Sequence, residues 1–294
     1  MSAPDDFDSL LPPATRNRRD FLTASLGAGF ALAVQPALAQ ADHIVRTGSA
    51  GLQAGEVRIP VSDGSLVAYQ ARPAGGRNWP VVLVVSEIFG VHEYIQDVCR
   101  RLAQLGYLAI APELFTRQGD PRQFTSIPEI QAKITSRTPD AQVLADLDAC
   151  VAWARAQGAD EQRLAITGFC WGGRITWLYA AHNPRVRAGV AWYGRLVGTV
   201  SEATPRHPVD VAGQLHAPVL GLYGGQDAGI PLETVDTLRQ QLAQGSAAAR
   251  ASDIHVYPDA PHAFHADYRA SYRPEAAADG WQRLLAWLQQ HGVR

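Results

Sequence analysis

Short apolar runs separated by stretches of helical spacing set the frame of this chain. Val81-Val82-Leu83-Val84-Val85 has no polar position, the pattern of a strand buried on both faces rather than one. Comparable runs occur at Tyr107–Pro112, Leu164–Gly168, Ala188–Tyr193, Val219–Tyr223 and Ile254–Tyr257, with Val81–Ser86 as the first of the set. Upstream, Glu56–Val61 and Leu66–Pro73 flank Asp63-Gly64, a hairpin signal. Helical spacing appears in Val143, Leu147, Val151 and Ala154, and again in Trp281, Leu284, Leu285 and Leu288. A short antiparallel entry followed by alternating β and α units predicts an α/β fold, a mainly parallel, doubly wound sheet with helices on both faces.

The first 39 residues belong to another pattern. Arg18-Arg19 is followed by Asp20 and then Phe21-Leu22, Ala24 to Val34 is small and apolar, and Ala37-Leu38-Ala39 fits an A-x-A cleavage site. This reads as a twin-arginine (Tat) signal peptide over 1–39, with cleavage near Ala39 and the Tat export machinery as the precursor's partner. Its apolar core is too short and too rich in Gly and Ala for a stable membrane span, although an uncleaved anchor is the competing reading. The expectation is a bacterial protein that works in the periplasm. Residues 40–54 lack periodicity and read as a linker or N-terminal arm. Residues 55–294 are of a size to form one α/β domain with an ample core.

Composition removes several function classes. Hydrophobic residues make up 47% and the formal net charge is −2, so the electrostatic footprint of nucleic-acid binding is missing. There is no P-loop and no G-x-G-x-x-G, so no nucleotide cofactor is implied. His262 and His265 have no third ligand at convincing spacing, so no metal is expected either.

The candidate chemistry starts at Gly168-Phe169-Cys170-Trp171-Gly172-Gly173, which has the spacing of a nucleophile elbow with cysteine in the place of serine. An apolar strand precedes it and a helical stretch follows, as the elbow requires. At the start of that helix, backbone N–H groups and the dipole favour thiolate over thiol. A nucleophile of this kind needs a base and an acid that orients it, ordered nucleophile, acid, histidine along the chain. Asp227 ends the strand-like run Leu220-Gly221-Leu222-Tyr223, and His262 follows Ile254–Tyr257 and a Pro-containing turn. Taken singly, Asp227 is an ordinary turn residue, His262 a surface histidine and Cys170 a buried small hydrophobe. Together they fall at the carboxyl ends of strands, where ligands of open α/β sheets collect. Glu87 stands at the end of an apolar core strand, where a carboxylate is costly unless it has a partner or a task. A helix cap is its ordinary alternative, a role that Ser86 could equally fill.

The residues Glu87-Ile88-Phe89-Gly90, the elbow around Cys170, Asp227 and Pro261-His262-Ala263-Phe264 together resemble the dienelactone hydrolase family, carboxymethylenebutenolidase and its relatives. The resemblance runs from about residue 55 to the C-terminus and implies an eight-stranded α/β-hydrolase fold. It implies Cys170 as nucleophile, His262 as base and Asp227 as orienting acid. Glu87 would hold the resting thiol and take its proton when substrate arrives, and the N–H groups of Ile88 and Trp171 would form the oxyanion hole. The family binds a substrate carboxylate with two arginines. Arg117 matches the first, but the second position is Ala266, with Arg269 three residues further on as the candidate replacement. A weakened clamp predicts a broader range of esters and lactones.

Cys99 and Cys150 complete the cysteine count. A disulfide between them is the question an exported protein raises, and the resemblance argues against it by placing their helices on opposite faces of the sheet. The expected function is therefore a cofactor-independent Cys-His-Asp hydrolase of a small lactone or ester. An acyltransferase is the lesser alternative, since polyester synthases carry a cysteine elbow on this fold, but export separates it from cytoplasmic acyl-CoA. A catalytically silent binding protein is the other, and its signature, loss of a triad member, is absent. Phe115, Phe124, Trp171, Trp192 and Tyr193 are candidate pocket aromatics, with plain core as their commoner role.

Overall fold

A computed structural model describes residues 44–294. The twin-arginine segment and its cleavage site lie outside the described residues. Eight strands form one sheet in the order β1-β2-β4-β3-β5-β6-β7-β8: β1 Leu52–Val61, β2 Gly64–Pro73, β3 Pro80–Val85, β4 Leu108–Pro112, β5 Asp160–Phe169, β6 Val186–Trp192, β7 Val219–Gly224 and β8 Asp253–Tyr257. β1 and β2 form the antiparallel hairpin closed at Val61 and Gly64, and β2 runs antiparallel to β4. Every other pairing is parallel. Helices cover both sides, the principal ones being α1 Glu93–Gln104, α2 Ile127–Lys133, α3 Asp140–Ala156, α4 Trp171–His182, α5 Pro208–Val211, α6 Leu232–Ala243, α7 Ala247–Arg250 and α8 Pro274–Gln290.

The apolar runs became strands because only central, two-sided burial removes all their side chains from water. Every residue of β3, β4 and β7 is buried, as expected for parallel strands covered on both faces. β1, at the edge, keeps an alternating half-exposed pattern. Two boundaries differ from the sequence reading. β1 begins at Leu52, so the last three residues of the arm expected over 40–54 belong to the sheet. β5 begins at Asp160, because Asp160 pairs with Pro80 across an irregularity that ends at Leu164, which brings the polar Asp160–Arg163 segment into the strand without an apolar signature.

The remaining arm is tied down. Val45 donates its N–H to Asp267 Oδ2 at 2.9 Å and Arg100 Nε donates to the Thr47 carbonyl at 2.7 Å. All three cysteines are free and buried, so Cys99 and Cys150 are not bridged.

The topology gathers the chemistry at one rim. Glu87 follows β3, Cys170 follows β5, Tyr193 follows β6, Asp227 follows β7 and His262 follows β8.

Candidate active site

Cys170 is the N-cap of α4 with φ 54° and ψ −114°, a left-handed conformation that costs a non-glycine residue energy and is held only by its surroundings. The chain must turn from strand to helix within one residue, and close contact on both sides forces the angle. A Cβ at Gly168 would stand 2.2 Å from the Gly172 carbonyl oxygen, and one at Gly172 would stand 2.2 Å from that of Val85. The strained turn raises the thiol to the rim while it stays 2% exposed. Trp171 opens α4, so its N–H has no carbonyl one turn back to bond.

His262 Nδ1 and Asp227 Oδ2 are 2.6 Å apart, both buried. Asp227 Oδ1 accepts from the Gly229 N–H at 2.9 Å, which fixes the carboxylate plane. Burial by itself would push the imidazole down, but the Asp227 carboxylate and Cys170 together raise it to about 10. Its Nε2 is enclosed, lies within the influence of Cys170, and completes no hydrogen bond with good geometry. A buried imidazole aligned at one nitrogen by a carboxylate and open at the other is built to take and return a proton.

Glu87 is 2% exposed and caps no helix, since α1 begins beyond it with His92 as N-cap. Its Oε2 accepts from the Tyr268 hydroxyl at 2.8 Å and lies 3.3 Å from His92 Nε2. These bonds answer the cost of the buried carboxylate. Tyr268 packs on His92 and Tyr94, and the Tyr94 hydroxyl lies 2.6 Å from His265 Nδ1. Burial, aided by Arg101, pushes His265 well below its ordinary value, so it is neutral and belongs to this aromatic support.

Cys170 and His262 line one cavity of about 560 Å³ together with Trp171, Tyr193, Arg174 and Arg195. Its outer walls come from Pro128–Ser136 and Thr199–His207, around α2 and before α5. Neither of the two arginines expected to hold substrate is among the lining residues. Arg117 spans two carboxylates instead, Asp63 at 2.6 Å and Asp146 at 2.7 Å. It therefore fastens the β1–β2 turn to α3. Arg269 lies with its guanidinium over the Phe89 ring at 5.7 Å. Of the arginines that do line the cavity, Arg174 is locked by a two-point bond to Asp140, at 2.7 and 2.8 Å, and donates to the Arg206 carbonyl and to His207 Nδ1. Arg195 is depressed below its ordinary value by burial. Of the five candidate aromatics, Trp171 and Tyr193 line the cavity. Phe115 supports Trp171 at 4.7 Å between centroids, Trp192 stacks on Phe169 in the core, and Phe124 lies under Lys133.

Residues 66–292 match the dienelactone hydrolase family. This chain belongs to the dienelactone hydrolase family. A protein of Methylorubrum extorquens, provisionally named a carboxymethylenebutenolidase, is 59% identical over 289 residues, 98% of either chain. The crystal structure of a provisionally named dienelactone hydrolase from Klebsiella pneumoniae superposes with TM-score 0.79 at 60% identity, over 81% of this chain and 99% of that one. A dienelactone hydrolase-like phosphotriesterase from metagenomic libraries shares the fold, with TM-score 0.67 at 20% identity, over 82% and 99%. The eight-stranded α/β-hydrolase architecture and membership of a lactone- and ester-cleaving class of hydrolases are thus established together.

Sequence reasoning missed the supports of Glu87, namely Tyr268 and His92, and the Arg174–Asp140 lock. Each pairs residues far apart in the chain, and no local pattern marks them. Arg174, four residues after Cys170 on α4, was open to notice as a charge in an otherwise apolar helix.

Proposed function

We propose that this enzyme hydrolyses a small lactone or ester with Cys170 as nucleophile, His262 as base and Asp227 as the acid that orients it. His262 Nε2 takes the thiol proton and Sγ attacks the carbonyl carbon. The N–H groups of Ile88 and Trp171 receive the negative oxygen that results. Collapse breaks the acyl C–O bond, and His262 returns its proton to the departing alkoxide, which in a lactone stays attached to the acyl group. A water molecule, deprotonated by His262, then attacks the thioester and releases the carboxylate and the free thiol. Glu87 Oε2 is engaged by Tyr268 and His92, and the thiol proton that the resemblance would send to Glu87 goes in this reading to His262, which faces Cys170. No cofactor is required by this sequence of steps.

The observation that carries the reading is the buried 2.6 Å His262–Asp227 pair opening on the same cavity as the strained Cys170. The test is a hydrolysis screen of the purified mature protein against lactones, aryl esters and thioesters, with Cys170→Ala as the blank. Activity in Cys170→Ala should fall at least about a hundredfold, and Cys170→Ser should also be poor, because its hydroxyl depends on a base placed for a thiol. A loss well below that on the same substrate rejects the nucleophile.

A further inference from the structure

The segment between β6 and α5, residues 193–207, takes neither helix nor strand, yet it walls the cavity through Thr199, Ser201, Thr204 and His207. A strap with no ladder of its own is held by the bonds it makes to its neighbours. Those bonds converge on one buried side chain. His207 Nε2 lies 3.2 Å from the Thr199 carbonyl oxygen, Arg174 Nε donates to His207 Nδ1 at 3.3 Å, and Arg174 Nη2 donates to the Arg206 carbonyl at 2.7 Å. The Asp140 N–H adds a bond to the Ala203 carbonyl at 2.8 Å, while the Asp140 carboxylate holds Arg174. At Gly198 the strap folds directly over the ring, since a Cβ there would stand 2.6 Å from His207 Cε1. Arg174 in turn sits on the first turn of α4, and its backbone N–H donates to the Cys170 carbonyl at 3.2 Å. One imidazole therefore joins the wall of the cavity to the helix that opens on Cys170.

Both partners of the ring demand the same form of it. A guanidinium only donates and a carbonyl only accepts, so Nδ1 is bare toward Arg174 and Nε2 carries the hydrogen toward Thr199. Only the neutral imidazole fits. Protonation would set a second N–H against Arg174 Nε across 3.3 Å, two donors and two like charges, and that pair must part. The charged groups around the ring are Arg174 from α4, Asp140 from the start of α3 and Asp210 from α5, with Arg195, Glu202 and Arg206 on the strap itself. The two aspartates favour the charged ring, but Asp140 is engaged by Arg174 at two points and Asp210 Oδ2 accepts the His207 backbone N–H at 2.7 Å. Burial first and Arg174 second outweigh them, and the imidazole is held below its ordinary value of 6.5.

We propose that neutral His207 is a positioning residue that fastens the 193–207 strap against α4, and that protonation of its ring releases the strap and loosens the substrate-binding wall of the cavity. It acts through Arg174 and Thr199. The inference rests on the hydrolase reading only in taking this cavity as the place where substrate binds. The fastened strap binds fewer protons than the released one, so its stability is complete above about pH 6.5 and falls as pH drops toward the lower value of the fastened ring. With one proton taken up on release, the opening constant grows by at most about tenfold per pH unit.

The test follows amide hydrogen exchange of the strap in the full chain against pH, each rate divided by the intrinsic rate at that pH. His207→Gln is measured beside it, because its amide can accept from Arg174 and donate to Thr199 but cannot titrate. The reporters are the N–H groups of Ser201, which donates to the Thr204 carbonyl, and of Val209, which donates to the Leu196 carbonyl, with α8 as the reference. Strap protection in the native protein should fall about three- to tenfold from pH 7.5 to pH 5 and stay level in His207→Gln. KM for 4-nitrophenyl butyrate should rise over the same interval more in the native enzyme than in His207→Gln, with kcat changing alike in the two. Protection that is independent of pH, or that falls equally in both proteins, overturns the proposal, and so does a KM that rises equally. If His207→Gln does not fold by circular dichroism, ¹⁵N NMR of the native protein decides alone. A hydrogen on His207 Nδ1 at pH 8, or a titration midpoint at or above 6.5, then overturns the proposal. Failure of the hydrolase reading is a separate result, namely hydrolysis that survives Cys170→Ala, and it leaves the exchange measurement standing.

Discussion

At His262 two opposing effects are balanced, and the balance has a sign that can be tested. Burial disfavours the charged imidazole, while Asp227 at 2.6 Å and Cys170 favour it strongly enough to lift it to about 10. A histidine raised in this way stabilises the fold fully below its unfolded value near 6.5, and that stabilisation fades as pH rises through about 10. Asp227→Asn removes the larger favourable partner, so the His262 titration followed by ¹⁵N NMR should move down from about 10. The stability deficit of the variant in urea melts should be largest near pH 6 and shrink by pH 10.5. An unmoved titration would mean that the carboxylate is not what sets the histidine. Arg117 makes the contrasting case, as an ion-pair residue rather than a substrate contact. Arg117→Ala strands the buried Asp146 and should cost on the order of 1–2 kcal/mol of stability after allowance for the partial exposure of the guanidinium. It should leave kcat/KM little changed for both neutral and carboxylate-bearing esters. A selective loss on the carboxylate substrate would return Arg117 to the pocket.

Among the elements, the β5–α4 elbow is the most constrained. Because a Cβ at Gly172 would fall 2.2 Å from the Val85 oxygen and 2.7 Å from that of Ser86, α4 can approach β3 only as a glycine helix. Both opposing atoms are backbone, so no side chain can move aside. Gly172→Ala should therefore destabilise the protein by more than about 4 kcal/mol or prevent folding, measured by thermal unfolding and soluble yield. A near-native melting temperature would show that the helix shifts freely. The arm before β1 illustrates an element fixed by partners rather than by pattern. Residues 45 and 47 bond to Asp267 and Arg100, which joins the arm to α1 and to the segment that follows His262.

For the whole molecule, the order of strands in the sheet brings residues from five strand ends into one rim, and the cavity walls come from segments before α5 and around α2. Export concerns the chain as a unit. We propose that the precursor uses its twin-arginine signal to reach the periplasm after folding. Replacing Arg18 and Arg19 with Lys should leave the precursor in the cytoplasm on fractionation. Unchanged periplasmic recovery of the processed form would remove that assignment.

The sequence by itself determined the eight strands, their alternation with helices and the rim on which Cys170, Asp227, His262 and Glu87 stand. Those features follow from local terms, such as uninterrupted apolar runs, the glycines of the elbow and the turn chemistry beyond each strand, and all of these are written within a few residues. Strand ends were less legible where a polar residue pairs through the backbone, as at Asp160 opposite Pro80. Only the tertiary structure decided which charges face the cavity. Arg117 fits the substrate position by its place in the chain, yet two carboxylates 54 and 29 residues away claim its guanidinium. Tyr193 reads as the end of a strand, but its strain arises from backbone contact with an elbow some twenty residues upstream. Side-chain partners chosen across the fold depend on distances that no spacing along the chain contains.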